Sequence, residues 1–185
     1  MRYKKQELAE IYRELEAEGV EAVVIGDTVV QLALGLSELE GDIDLFVLSP
    51  SPLVEREFYR EIAERKSWEL AATEIGTPAL VVPLSEGLVA VELYENYMDI
   101  EIPEDIVEDA QEHRIDGVKL KAIKPEHYVV LKARQGVDLD KLRKRLGELK
   151  RRGLNLKLVE WAISLYMEDE RETIRERLRG VGLEI

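Results

Sequence analysis

Two aspartates one residue apart, Asp42 and Asp44, are the side chains in this sequence best placed to do chemistry. They open the run Asp42-Ile43-Asp44-Leu45-Phe46-Val47, in which Ile43, Leu45 and Val47 alternate with the acids and Phe46. On an extended strand, residues i and i+2 project from the same side. Both carboxylates therefore point one way, with Cα atoms about 7 Å apart. Like charges held this way repel unless a cation lies between them. Carboxylate oxygens are hard ligands that suit Mg²⁺ or Mn²⁺, with phosphate oxygens completing the shell. The other role open to the pair is capping a turn ahead of the strand.

The elements that must position the aspartates are legible around them. Val20 to Ile25 reads as a first strand ending in Val23-Val24-Ile25 and stopped by Gly26-Asp27. A short helical pattern, Thr28 to Leu34, and a loop lead to a second strand from Asp42 to Leu48.

This order of strand, Gly-x, helix and Asp-x-Asp resembles the nucleotidyltransferase superfamily of the DNA polymerase β type. Its pattern is a hydrophobic residue, Gly, then Gly or Ser, a spacer and Asp-h-Asp-h. Here it reads Ile25-Gly26-Asp27 and Asp42-Ile43-Asp44-Leu45, so Asp27 stands where the family has Gly or Ser. The resemblance implies an α+β fold, a mixed twisted sheet flanked by helices with a helical C-terminal region. It implies metal-dependent transfer of a nucleoside monophosphate from an NTP to a hydroxyl acceptor, whether RNA, protein or small molecule. Asp42 and Asp44 would be the catalytic metal ligands, with Mg²⁺ or Mn²⁺ as cofactor.

The family's third carboxylate sits on a later strand. Val89-Ala90-Val91-Glu92-Leu93 is the best match, with Glu92 polar in an apolar run. A buried strand carboxylate is costly unless paired or bound to metal, so a structural salt bridge is the alternative for Glu92. Gly26, Asp27 and Thr28 would face the phosphates at the start of the helix. An aspartate there is a strong N-cap and would occupy N–H groups that a phosphate needs. Weak triphosphate binding is the expectation.

Further along, Pro125-Glu126-His127-Tyr128 to Arg134, with Asp138 and Asp140 beyond, resembles a segment of small stand-alone nucleotidyltransferase-like proteins. Some of these are related to type IV toxin and antitoxin transferases. That resemblance would turn Lys132 and Arg134 toward nucleotide phosphates. On the other reading, Val129, Val130 and Leu131 are core and the charges are solvated. Lys141, Arg143, Lys144, Arg145, Lys150, Arg151 and Arg152 form a basic stretch. It reads as a surface for phosphate or as a solvated helix paired to nearby glutamates. Asp99 and Glu101 rival Glu92, although an edge strand with a solvated acidic face accounts for them too.

Composition narrows the classes. The chain has 185 residues and a formal net charge of −13, with 35% charged residues against a usual share of about 25%. That charge argues against broad nucleic-acid binding. It suits a second function class: a catalytically weak nucleotide-binding module, or an antitoxin-like regulatory protein docking a basic partner. There is no cysteine, which excludes disulfides and thiol catalysis. His113 and His127 are the two histidines; they lack ligand spacing and read as ordinary surface residues. Abundant Glu, Lys and Arg without Cys is the bias of hyperthermophile proteins. No apolar run approaches the roughly 18 residues of a membrane span, and no signal-peptide core is evident. A cytoplasmic protein without membrane contact is expected.

The remaining pattern predicts an opening helix over 4–18 and a helix capped by Ser51 and ending near Lys66. Short strands are predicted over 68–73, 79–82, 88–94 and 118–123, and a short acidic helix from Pro103 to His113. Four helices follow over 125–135, 138–152, 156–167 and 170–179. The division expected is a sheet domain, 1–124, and a helical region, 125–185, packed on it.

Overall fold

Alternating apolar residues build a mixed sheet in the computed structural model, which describes residues 1–185. In chain order the elements are β1 (Arg2–Lys4), α1 (Lys5–Ala17), β2 (Glu21–Ile25), α2 (Asp27–Ala33), β3 (Glu38–Glu40), β4 (Ile43–Ser49) and α3 (Arg56–Lys66). Next come β5 (Glu69–Ala72), β6 (Pro78–Leu84), β7 (Gly87–Tyr94), α4 (Glu104–Glu108), β8 (Gln111–Ile115) and β9 (Val118–Ala122). The chain ends with α5 (Pro125–Gln135), α6 (Leu139–Arg152), α7 (Leu156–Ser164) and α8 (Glu168–Gly180). Two compact units result. One comprises Met1–Glu101 with Gln111–Ala122, the other Ile102–Ala110 with Ile123–Ile185. No helix is long and apolar enough to cross a membrane.

The first unit holds a seven-stranded sheet of order β5-β6-β7-β4-β2-β9-β8 and a separate ribbon of β1 and β3. At its centre β4 runs antiparallel to β2 and parallel to β7. The register sets Ile43 beside Val91 and Leu45 beside Leu93, and all four are buried. Asp44, Ala90, Glu92 and Tyr94 occupy the alternate positions and are only half-buried. Helix α1 buries Leu8, Ile11, Tyr12 and Leu15, a stripe at helical spacing. β2 and β9 are parallel and meet in register at one pair, Val24 and Ala122. Beside that pair the Tyr12 hydroxyl donates to the carbonyl of Ala22 at 2.7 Å and accepts from the amide of Lys121 at 3.4 Å. It ties the two strands where the ladder does not.

Several local expectations change. β1 and β3 were not expected, because three-residue strands carry no periodicity of their own. The stretch Gln111–Ile115 is a strand rather than the end of an acidic helix, since it pairs antiparallel with β9. Helix α3 starts at Arg56, not after Ser51: the Ser51 hydroxyl accepts from the amide of Val54 at 3.1 Å, capping a single turn, and donates to Glu95 at 3.0 Å. Asp99 and Glu101 lie on no strand. Tyr97 and Ile100 exchange backbone hydrogen bonds of 3.0 Å around Met98, which sits at φ 53°, so the segment turns back.

In the second unit, α6, α7 and α8 all pack against α5, whose Tyr128, Val129, Val130 and Ala133 are buried. His127 is 0% exposed, which corrects its reading as a surface residue. Its Nδ1 accepts from the amide of Lys124 at 3.2 Å, so the neutral ring carries its proton on Nε2, which lies 3.2 Å from Asp109 Oδ2. Lys124 Nζ binds the other Asp109 oxygen at 2.6 Å. Burial pushes the imidazole down to about 4, against the pull of the Asp109 charge.

A folded pKa below the unfolded value near 6.5 means that, between those two pH values, only the unfolded chain takes up this proton. The stability owed to neutral His127 is complete above about pH 6.5 and is lost as pH falls toward 4. The ring proton resonances of His127 are expected to stay flat from pH 8 to 5 in NMR titration. His127→Gln is expected to flatten the dependence of melting temperature on pH in that acidic window.

Candidate active site

Gly26 decides where the Asp44 carboxylate can rest. It precedes α2 at φ 69° and ψ −161°, a region that is essentially glycine's alone. A Cβ built there would lie 1.9 Å from Asp44 Oδ2 and 2.8 Å from Asp44 Cγ. The carboxylate thus fills the space a side chain would take. The antiparallel register explains the approach, since Asp44 is the cross-strand partner of Ile25. Asp42 lies one residue ahead of β4 and is exposed.

The segment leading to Asp42 is fixed from within. Thr28 is buried, and its hydroxyl donates to the carbonyl of Asp42 at 3.4 Å, with the Tyr3 hydroxyl 3.4 Å away. Gln31 is wholly buried and clamps Glu40, accepting from its amide and donating to its carbonyl, both at 2.8 Å. The Gln31 amide also donates to Asp27 Oδ2 at 3.1 Å. Asp27 is therefore not the helix cap. Gly26 holds that position, Asp27 is the first helical residue, and its carboxylate is directed one turn along the helix.

Glu92 is the in-register neighbour of Asp44 across the parallel β4–β7 pair, on the same face of the sheet. The Tyr94 hydroxyl, two residues on, donates a hydrogen bond to Glu92 Oε2. No three acidic or imidazole side chains stand close enough together to hold a metal ion. Two tyrosines border these acids. Burial pushes Tyr3 up to about 12, with the charges of Asp44, Asp42 and Asp27 adding to the rise. Burial also raises Tyr94, followed by its bond to Glu92 and the charges of Glu92, Asp44 and Asp42. Both hydroxyls stay protonated beside the acids at neutral pH.

The basic candidates lie in the helical unit. Lys132 is half-buried on α5. Arg134 pairs with Glu170 at 2.8 Å and lies over the Tyr166 ring at 5.3 Å. Within the basic stretch of α6, Arg145 is buried and paired to Glu148 at 3.0 Å, and Arg143 binds Asp140 and the carbonyl of Gly180. A groove of about 400 Å³ lined by Tyr12, Glu21, Leu48, Glu112, Lys119 and Lys121 opens at the start of β2. That is the opposite end of the strand from Gly26 and Asp44, so the groove is not part of this site.

The chain matches the family described as nucleotidyl transferase of unknown function (DUF2204) over residues 4–180. It belongs to that family. No curated protein matches it. Among solved structures it is similar to an antigenic nucleotidyltransferase-like protein from Paracoccidioides brasiliensis, at 15% identity and a TM-score of 0.56. That match covers 98% of this chain and 94% of the other. It is also similar to the antibiotic-resistance factor ANT(2'')-Ia, at 14% identity and a TM-score of 0.49, covering 94% and 89%. At such identities the first likeness shows the fold, and it is the nucleotidyltransferase fold.

The carboxylates present suit a divalent ion by donor type. Asp42, Asp44 and Glu92 offer hard oxygens alone, and the glycine cradle keeps a side chain off the Asp44 oxygens. Their spacing brings two together by sequence and leaves the third tied to Tyr94. Three residues at the site were not apparent in the sequence. Tyr3 lies on a strand too short to read, and Gln31 is a polar residue in a short helical pattern. Tyr94 did carry a signal, because it stands two residues after Glu92 and so shares its face.

Gly26→Ala is expected to displace the Asp44 carboxylate and add backbone strain of about 1–3 kcal/mol. It should lower the melting temperature and weaken Mn²⁺ binding about tenfold or more, as seen when partners of a ligand are disturbed. Gly35→Ala is the control. Gly35 also has positive φ, 72°, but nothing lies within 4 Å of its Cβ position. Stability alone should fall there, with Mn²⁺ affinity by calorimetry unchanged.

Proposed function

We propose that this family member is a metal-dependent nucleotidyltransferase, moving a nucleoside monophosphate from an NTP to a hydroxyl acceptor. The observation that carries the reading is the Asp44 carboxylate resting on Gly26 two residues beyond Asp42, on a nucleotidyltransferase fold. Asp42 and Asp44 would hold Mg²⁺ or Mn²⁺. The chemistry such an ion supplies is neutralisation of triphosphate charge and of the charge that develops on the leaving pyrophosphate.

The chain's own residues do the positioning. Gly26 gives the Asp44 oxygens room, and Thr28 and Gln31 hold the backbone that delivers Asp42. Gln31 draws the Asp27 carboxylate along the helix. This lessens the conflict between that charge and a phosphate beside Gly26 and Thr28. Glu92, in register with Asp44, is the third carboxylate of the proposal.

A second reading, a nucleotide-binding or regulatory module with little turnover, draws on one observation: three acids are not gathered. Cation binding and turnover separate the two. Mn²⁺ is expected to bind the wild-type chain, and Asp42→Asn with Asp44→Asn to abolish that binding in calorimetry while the melting curve stays cooperative. Labelled NTP should be incorporated by wild type with Mg²⁺ or Mn²⁺ and a mixed pool of RNA, protein and small hydroxyl compounds, and not by the double variant. Mn²⁺ binding without incorporation would favour the module. Unchanged Mn²⁺ affinity in the double variant would place the cation elsewhere.

A further inference from the structure

The register of β4 and β7 sets Glu92 beside Asp44 and leaves Asp42 two positions further along. Ile43 lies beside Val91, so Asp42, one residue earlier, is level with Ala90. Asp44 is level with Glu92, and Phe46 with Tyr94. Glu92 thus has Asp42 toward one end of its strand and Tyr94 toward the other. Its hydrogen bond goes to Tyr94, on the side away from Asp42. In keeping with that, no third acid joins the pair at metal-holding distance.

We propose that Tyr94 is a latch: its hydroxyl holds the Glu92 carboxylate out of the Asp42–Asp44 pair, and the site gathers three acids when that bond is given up. The inference rests on the reading that Asp42 and Asp44 hold a divalent cation, and it adds how the third ligand is controlled. A hydroxyl can donate one hydrogen bond to a carboxylate, and that bond competes with a cation for the same oxygen. On this proposal a cation that takes Glu92 Oε2 displaces the Tyr94 hydroxyl, which makes Tyr94 a positioning residue acting through Glu92.

The test measures Mn²⁺ alone, without nucleotide. Tyr94→Phe keeps the ring and removes the donor. It is expected to bind Mn²⁺ about tenfold tighter than wild type, the scale of one charge-assisted hydrogen bond removed from the competition. Its melting temperature should fall without metal and recover with Mn²⁺. Adding Glu92→Gln to Tyr94→Phe should abolish the gain. A merely structural loss would weaken binding, and weaker or unchanged affinity in Tyr94→Phe overturns the latch.

Wild-type protein carrying ¹³C at tyrosine Cζ gives a measurement that requires no variant to fold. Saturating Mg²⁺ should shift the Tyr94 resonance, and a resonance that stays put overturns the proposal. Equal Mn²⁺ binding by wild type and Tyr94→Phe, abolished by Asp42→Asn with Asp44→Asn, overturns the latch and leaves the cation reading standing. Absence of Mn²⁺ binding in both overturns the two together.

Discussion

A carboxylate pressed against a glycine backbone is the constraint on which the site depends. Asp44 sits where the Gly26 side chain would be, and the dihedral angles of Gly26 exclude nearly every other residue. Strand β2 must end at Gly26 and helix α2 must begin directly after it. The next strand must then run back antiparallel so that Asp44 meets Ile25. The order of strand, turn, helix and strand follows from that one contact. The Gln31 clamp and the Thr28 hydroxyl then fix the length of chain between Gly26 and Asp42.

Charge is managed around this contact with neutral donors. A chain of net charge −13 places Asp27, Asp42, Asp44 and Glu92 near one end of two central strands, and two of these acids accept hydrogen bonds from neutral side chains. Gln31 serves Asp27, and Tyr94 serves Glu92. A neutral partner stabilises a carboxylate without cancelling its charge. Elsewhere the opposite solution is used: Arg145 with Glu148 and Arg134 with Glu170 are charge pairs inside the helical unit.

How much of this was legible follows from period and range. The Asp42–Asp44 pair, the Gly26 turn and the strand bearing Glu92 could be read because a period of two is visible over a few residues. The nucleotidyltransferase fold was legible through the resemblance of Ile25-Gly26-Asp27 and Asp42-Ile43-Asp44-Leu45 to that superfamily's pattern. The expected N-cap role of Asp27 failed because glycine at φ 69° let the helix start one residue earlier in register. β1, β3 and β8 are defined by partners distant in sequence, as with Arg2 and Glu40 or Gln111 and Ala122, so no local window announces them. His127 misled for a related reason: its acceptor role toward Lys124 is local, but its burial against Trp161 comes from a helix much further along.

The pairing of β2 with β9 has a consequence for how the chain is made. β2 is complete by Ile25, yet its second neighbour in the sheet is not synthesised until Ala122. On a ribosome adding roughly 5–20 residues per second, one edge of a central, apolar strand stays open for several seconds. During that interval the β2–β4–β7 core can assemble, but its exposed edge is a template for any passing strand. Tyr12 is in place from the beginning on α1, with its hydroxyl toward the Ala22 carbonyl. In the folded protein that hydroxyl also receives the Lys121 amide of β9.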